Sequence, residues 1–152
     1  MSESQQTLVL AKPDAVQRGL AGEVMSRLER TGLKIVAIKL LRIDDALARR
    51  HYAVHEGKPF FGSLVSFITS SPVVAMVLEG PSAVEKVRSI MGATNPAKSA
   101  PGSIRGDLGI DIERNLIHGS DAPETAKTEI ALFFAPEEIV SYPRDNEPWI
   151  TS

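Results

Sequence analysis

The stretch Thr7-Leu8-Val9-Leu10-Ala11-Lys12-Pro13 is a short apolar run closed by a charge and a proline. It reads as a buried strand that ends where Lys12 emerges. The period then changes: from Asp14 to Arg30, Val16, Leu20, Val24 and Leu28 recur at helical spacing, with Gly32 as the C-terminal cap. Lys34 to Ile43 is rich in β-branched residues and apolar on both faces, which predicts a strand inside a sheet. Asp44 caps a predicted helix to about Tyr52, and Pro59 opens another with Leu64, Phe67 and Ile68 as its apolar stripe. Pro72 introduces a strand, Val73 to Leu78, and Ser82 with Glu85 has the spacing of a capping box. The helix launched there buries Val84, Val87 and Met91, carries Arg88 beside that stripe and ends at Gly92.

From Gly92 to Asn115 no period is sustained, and a loop this long inside a compact domain is usually functional. Leu116-Ile117-His118 is a short strand, Ser120 or Asp121 caps a helix through about Leu132, and a tail with Trp149 follows. The core order is βαββαβ. It predicts an α+β, ferredoxin-like fold: a four-stranded antiparallel sheet covered by helices, plus the long loop and the C-terminal tail.

Composition sets the frame for function. The 152 residues are 43% apolar with a formal charge of −2, enough chain for one self-sufficient domain spanning 1–152. The absence of cysteine excludes disulfide scaffolds, thiolate zinc and thiol nucleophiles together. Nearly balanced charge gives no blanket attraction to nucleic acid or anionic membrane, so phosphate chemistry would need a local cationic cluster. The longest apolar stretch, Val73 to Leu78, is far short of the roughly 20 residues of a membrane span. The polar opening Met1-Ser2-Glu3-Ser4-Gln5-Gln6 lacks the basic and apolar regions of a signal peptide, which predicts a cytoplasmic location.

Gly92-Ala93-Thr94-Asn95-Pro96-Ala97-Lys98-Ser99 nearly spells a phosphate-binding P-loop, but a helix precedes it and Pro101-Gly102 follows, where a P-loop needs a strand and a helix. His51 and His55 stand one helical turn apart yet lack an evident third ligand, and they read as exposed or hydrogen-bonded histidines. His118 is different. It closes a strand, Gly119 lets another group approach its backbone, and a helix start follows. A neutral imidazole offers a lone pair for attack without a strong base, and Glu124 or Glu129 in the next helix could orient the ring.

The run Asn115-Leu116-Ile117-His118-Gly119-Ser120-Asp121 resembles the active-site signature of nucleoside diphosphate kinases. Lys12-Pro13-Asp14 with Gln17-Arg18-Gly19, His51-Tyr52, Lys58-Pro59-Phe60-Phe61, Gly92-Ala93-Thr94-Asn95-Pro96-Ala97 and Gly102-Ser103-Ile104-Arg105-Gly106-Asp107 resemble further family motifs, in family order over nearly the whole chain. The resemblance implies a ping-pong enzyme moving the γ-phosphoryl group of a nucleoside triphosphate to any nucleoside diphosphate through a phosphohistidine. It makes His118 the nucleophile at Nδ1, Glu129 its orienting carboxylate, Tyr52 a hydroxyl near the transferred group and Ser120 a neighbour of the nucleophile.

By the same resemblance Lys12, Arg88, Thr94, Arg105 and Asn115 contact phosphates and ribose, with Lys12 and Asn115 at the 3′-hydroxyl, and His55 contacts phosphate. Phe60 and Ile112 clamp the base, and Asp121 reaches Mg²⁺ through water. Three cations gathered from distant parts of the chain, together with Mg²⁺, would supply positive charge similar in size to a triphosphate's negative charge, and a base held by stacking explains broad acceptance. Glu56, where many members carry a basic residue, and Ile112, bulkier than the valine often found there, bear on fine preference. The resemblance also implies a homo-oligomer, a hexamer or else a tetramer, with the Gly92–Asn115 loop and the tail as candidate contacts.

Two other readings compete. An RNA-binding module on this fold needs aromatic residues on its central strands and a basic face, and neither Thr7–Leu10 nor Val73–Leu78 carries an aromatic, so no nucleic acid is expected as an obligatory partner. A degenerate scaffold would have lost motif residues, and none is missing.

Overall fold

The computed structural model describes residues 4–152. Of the opening read as carrying no leader, Met1, Ser2 and Glu3 lie outside the described residues. Ser4 to Gln6 begin β1 (Ser4–Ala11). The sheet runs β2-β3-β1-β4, with β2 (Lys34–Leu41), β3 (Val73–Pro81) and β4 (Ile117–Gly119), every pair antiparallel. This is the ferredoxin-like arrangement.

Helices cover both faces, which explains the unbroken apolar run of β1. Leu8 and Leu10 enter one core with Ala48, Val65, Ile130 and Phe133, beneath α3 (Asp45–His51), α4 (Phe61–Ile68) and α7 (Pro123–Phe133). Val9 and Ala11 enter the other with Ala15, Val24, Val87 and Ile104, beneath α1 (Pro13–Gln17), α2 (Ala21–Glu29), α5 (Ala83–Met91) and α6 (Ile104–Leu108). Successive strand residues point to opposite faces, so a strand buried twice has no polar alternation.

Several local expectations need correction. The stretch from Asp14 to Arg30 is two helices, because Gly19 takes φ +71° and turns the chain between them. β2 is an edge strand and not an inner one: a register shift between Ile35 and Ala37 buries Val36 and Ala37 consecutively and leaves Ile38 and Leu40 exposed. The tail covers part of that edge, with the Val140 N–H donating to Val36 O at 2.8 Å and the Tyr142 hydroxyl to Ile35 O at 2.6 Å.

Asp44 caps α3 as expected, accepting from Leu47 N–H at 2.8 Å. Pro59 lies two residues ahead of α4. Ser82 sits at φ 50° and does not cap α5 with its side chain; the Gln5 side-chain oxygen accepts from Val84 N–H instead. Neither Ser120 nor Asp121 caps α7, whose flanking residue is Ala122 with Pro123 at the first position. The long loop holds α6 and a short 3-10 turn, Pro96–Lys98, each capped by a side chain: Ser103 accepts from Gly106 N–H and Asn95 from Ala97 N–H. These elements are too short for periodicity to reveal.

Candidate active site

The segment from Asn115 to Gly119 is gripped at nearly every backbone carbonyl. Lys12 N–H donates to Leu116 O at 2.9 Å, Arg105 Nε–H to Asn115 O at 3.0 Å and Arg105 Nη2–H to Ile117 O at 2.5 Å. Leu116 N–H donates to the buried Asp14 carboxylate at 3.0 Å. Leu116 holds φ 73°, a left-handed conformation costing about 1–2 kcal/mol for a side-chain-bearing residue, so these bonds define the strained turn that aims β4. Arg88 Nη1–H reaches Gly119 O at 3.4 Å. A Cβ on Gly119 would lie 2.6 Å from Met91 Sδ and 2.9 Å from Val87 Cγ1, so only glycine lets α5 lie this close to β4.

His118 pairs with Leu10 across the β1–β4 ladder, which turns it toward the core face beneath α3 and α7. There its Nε2 stands 3.0 Å from Glu129 Oε1, and the Ser120 hydroxyl donates to the same oxygen at 2.7 Å. Burial pushes the Glu129 carboxyl up, but the bonds from His118 and Ser120 outweigh it and hold it below the usual carboxylate range. A carboxylate accepts, so the hydrogen sits on Nε2 and the free lone pair on Nδ1. Glu124, the other candidate partner, is exposed on the first turn of α7. Ser120 is buried and braces Glu129, besides accepting from Leu8 N–H at 3.3 Å.

Cations surround this segment. Lys12 Nζ donates to Asn115 Oδ1 at 2.9 Å, and Asn115 Nδ2 donates onward to Thr94 O at 3.1 Å. Burial, then the charge of Arg105, lowers the Lys12 amine to about 8 while Asp14 opposes them. Burial and the nearby Arg88 lower Arg105 to about 10, so it stays charged at neutral pH. Arg105 therefore lies within reach of the charges of both Lys12 and Arg88, with the Asp14 carboxylate as the countercharge acting on both Lys12 and Arg105. The local excess of positive charge, in a chain of net charge −2, suits an anion.

A relay of rings leads outward. His118 meets His51 at 4.6 Å between centroids, His51 meets Tyr52 at 4.7 Å, Tyr52 meets His55 at 6.3 Å and His55 meets Phe60 at 5.3 Å. Burial first, and then Glu129, raises the Tyr52 hydroxyl to about 12. His55 Nδ1 lies 3.2 Å from Lys58 Nζ, and Phe60 is exposed while Phe61 packs on the core. Ile112 and Asp121 are exposed, and Asp121 has no hydrogen bond or ion pair among the described residues.

His51 departs from expectation. It is buried, not exposed, and among the described residues neither ring nitrogen has a hydrogen-bond partner; burial followed by the charge of His118 lowers it to about 3. Asp14, the carboxylate under Leu116, is a further residue of the site that sequence reasoning gives no role. The sequence signal for it was an acid in the first turn of a helix behind Lys12-Pro13, a position with an ordinary dipole explanation.

Among the described residues no helix is long and apolar enough to cross a membrane. A family profile described as nucleoside diphosphate kinase matches residues 5–139. A nucleoside diphosphate kinase from a Roseiflexus species (strain RS-1) is 57% identical over 146 residues, covering 96% of this chain and 98% of that one. One from Archaeoglobus fulgidus is 58% identical over 146 residues, covering 96% and 97%. The solved structure of a halophilic nucleoside diphosphate kinase from Halobacterium salinarum, in complex with CDP, superposes with a TM-score of 0.96 at 53% identity, over 99% of this chain and 100% of that one. With the anion site and the oriented histidine in place, these likenesses over nearly the full length establish that the chain belongs to the nucleoside diphosphate kinase family, enzymes that transfer phosphoryl groups between nucleotides.

Proposed function

We propose that the chain transfers the γ-phosphoryl group of a nucleoside triphosphate, typically ATP, to a nucleoside diphosphate in two half-reactions through a phosphohistidine at Nδ1 of His118. The observation that carries this is the Nε2–H of His118 held by Glu129, which reserves the Nδ1 lone pair. In the first half-reaction that pair attacks the γ-phosphorus, the bond to the bridging oxygen breaks, and the diphosphate leaves with the bonding electrons. Nε2–H stays on the ring, and the Glu129 carboxylate stabilises the positive charge the ring acquires. In the second, a terminal oxygen of another diphosphate attacks phosphorus and the N–P electrons return to Nδ1, so no proton is consumed.

Lys12, Arg88, Arg105, Thr94, Asn115 and His55 hold the phosphates and the ribose, and Tyr52 presents its hydroxyl near the transferred group. In-line positioning and charge neutralisation are most of what phosphoryl transfer requires. Phe60 and Ile112, both exposed, clamp the base by apolar contact that reads no donor pattern, which supports broad base acceptance. The exposed carboxylate of Asp121, unpaired among the described residues, suits a hard, hydrated cation such as Mg²⁺, which uses one or two carboxylates plus substrate phosphates and would neutralise phosphate charge. We further assign residues 1–152 to one domain, the protein to the cytoplasm, and its working state to a homo-oligomer, a hexamer before a tetramer.

The test is incubation with γ-labelled ATP. Wild type acquires acid-labile, base-stable label that added GDP chases, and His118→Ala acquires none. Transfer retained by the folded variant would overturn the assignment.

A further inference from the structure

We propose that His51, His118 and Glu129 form a binding site for a borderline transition cation, Zn²⁺, and that filling it silences His118. One ligand atom from each residue lies within 4.8 Å of the others; His118 Nε2 is 3.0 Å from Glu129 Oε1, and His51 Nδ1 is 3.7 Å from Glu129 Oε2. Tetrahedral zinc with bonds of about 2.0–2.1 Å separates its ligands by roughly 3.3 Å, so the three donors need close by no more than about 1.5 Å.

The independent sign is His51. Its side chain is 1% exposed and, among the described residues, neither ring nitrogen has a hydrogen-bond partner, an expensive condition that a metal bond would relieve. Two imidazoles and a carboxylate leave a fourth position for water and suit zinc; Mg²⁺ prefers oxygen alone and does not compete. The Ser120 hydroxyl already orients the carboxylate from behind, and the His118 side chain, 21% exposed, gives the ion a way in.

The consequence follows from counting lone pairs. Zinc takes the in-plane pair of Nε2, so the hydrogen that Nε2 carried moves to Nδ1 with no net release. Nδ1 then has no pair to offer phosphorus. Binding rests on the ligand geometry alone, whereas silencing also rests on the phosphohistidine reading given above, and the experiment separates them.

Equilibrium dialysis of the full chain against zinc chloride, with Mg²⁺ in large excess and no nucleotide, should give one Zn²⁺ per chain, held at least tenfold more weakly by His51→Gln and by His118→Gln. Cobalt-loaded wild type should show the visible d–d absorption of a tetrahedral ion, a readout that needs no variant to fold. Zn²⁺ should block labelling by γ-labelled ATP and a chelator should restore it. An undiminished affinity in folded His51→Gln, displacement by Mg²⁺, or an octahedral cobalt spectrum would overturn the site. Label that never appears in metal-free protein would instead overturn the phosphohistidine, leaving dialysis to judge the zinc.

Discussion

At the residue scale the proposed chemistry turns on His118, Glu129 and Ser120. Glu129 Oε1 accepts from both His118 and Ser120, so the carboxylate charge and the Ser120 brace can be removed separately. Glu129→Gln keeps an acceptor but discards the charge that steadies the ring in transfer, and single-turnover phosphorylation should slow about 100-fold. Ser120→Ala removes one brace worth about 1 kcal/mol, and the same measurement should slow by roughly fivefold. Equal losses would mean that the carboxylate charge has no special part.

Lys12 gives a pH test in which function and stability move in opposite directions. Its amine titrates near 8 in the folded chain, against an ordinary value of 10.5. Above about pH 8 the folded state sheds this charge, so KM for nucleotide should rise. Between about 8 and 10.5 the unfolded chain binds the extra proton, so stability contributed by this site should increase with pH, because a buried charge has been relieved. Urea titrations and KM measured across that window check both signs, and Lys12→Met should flatten both.

Among the elements, α5 lies close against β4. Gly119→Ala puts a methyl group against stiff Val87 and flexible Met91, so α5 must retreat and take Arg88 with it. Loss of about 1–3 kcal/mol in chemical denaturation, with a raised KM for nucleotide, is the expected outcome. The long elements were legible because burial imposes a period: Val24 and Leu28, or Val84, Val87 and Met91, face one core and leave the opposite side polar. Where a fixed backbone angle decides, as at Gly19, or a cap comes from far along the chain, as Gln5 does for α5, a local window holds no signal. β2 misleads for a related reason. Its apolar outer face says that something covers it, and composition cannot distinguish another strand of the same sheet from the tail or a second copy.

For the molecule as a whole, the exposed Ile38 and Leu40 on the β2 edge, with Ile110 and Trp149 elsewhere, agree with assembly. Light scattering after size exclusion should return about six times the 16.4 kDa protomer mass, and a monomer would contradict the proposed state. The candidate site was legible as a set of motifs, since Lys12, Arg88, Arg105, Asn115 and His118 each announce themselves by residue type and order. Their mutual distances were not, because convergence of separate segments is a property of topology. His51 shows the limit: a histidine one turn from another reads as a surface pair until the fold buries it.

Lys12 and Asp14 grip Asn115 and Leu116 at sequence separations of 103 and 102. During synthesis, then, the cationic end of β1 waits for a strand that is among the last elements to leave the ribosome. A chain that stops short of Asn115 lacks both His118 and the carbonyls that Lys12 and Arg105 hold, so the cationic cluster and the proposed phosphoryl acceptor come together in a single folding step.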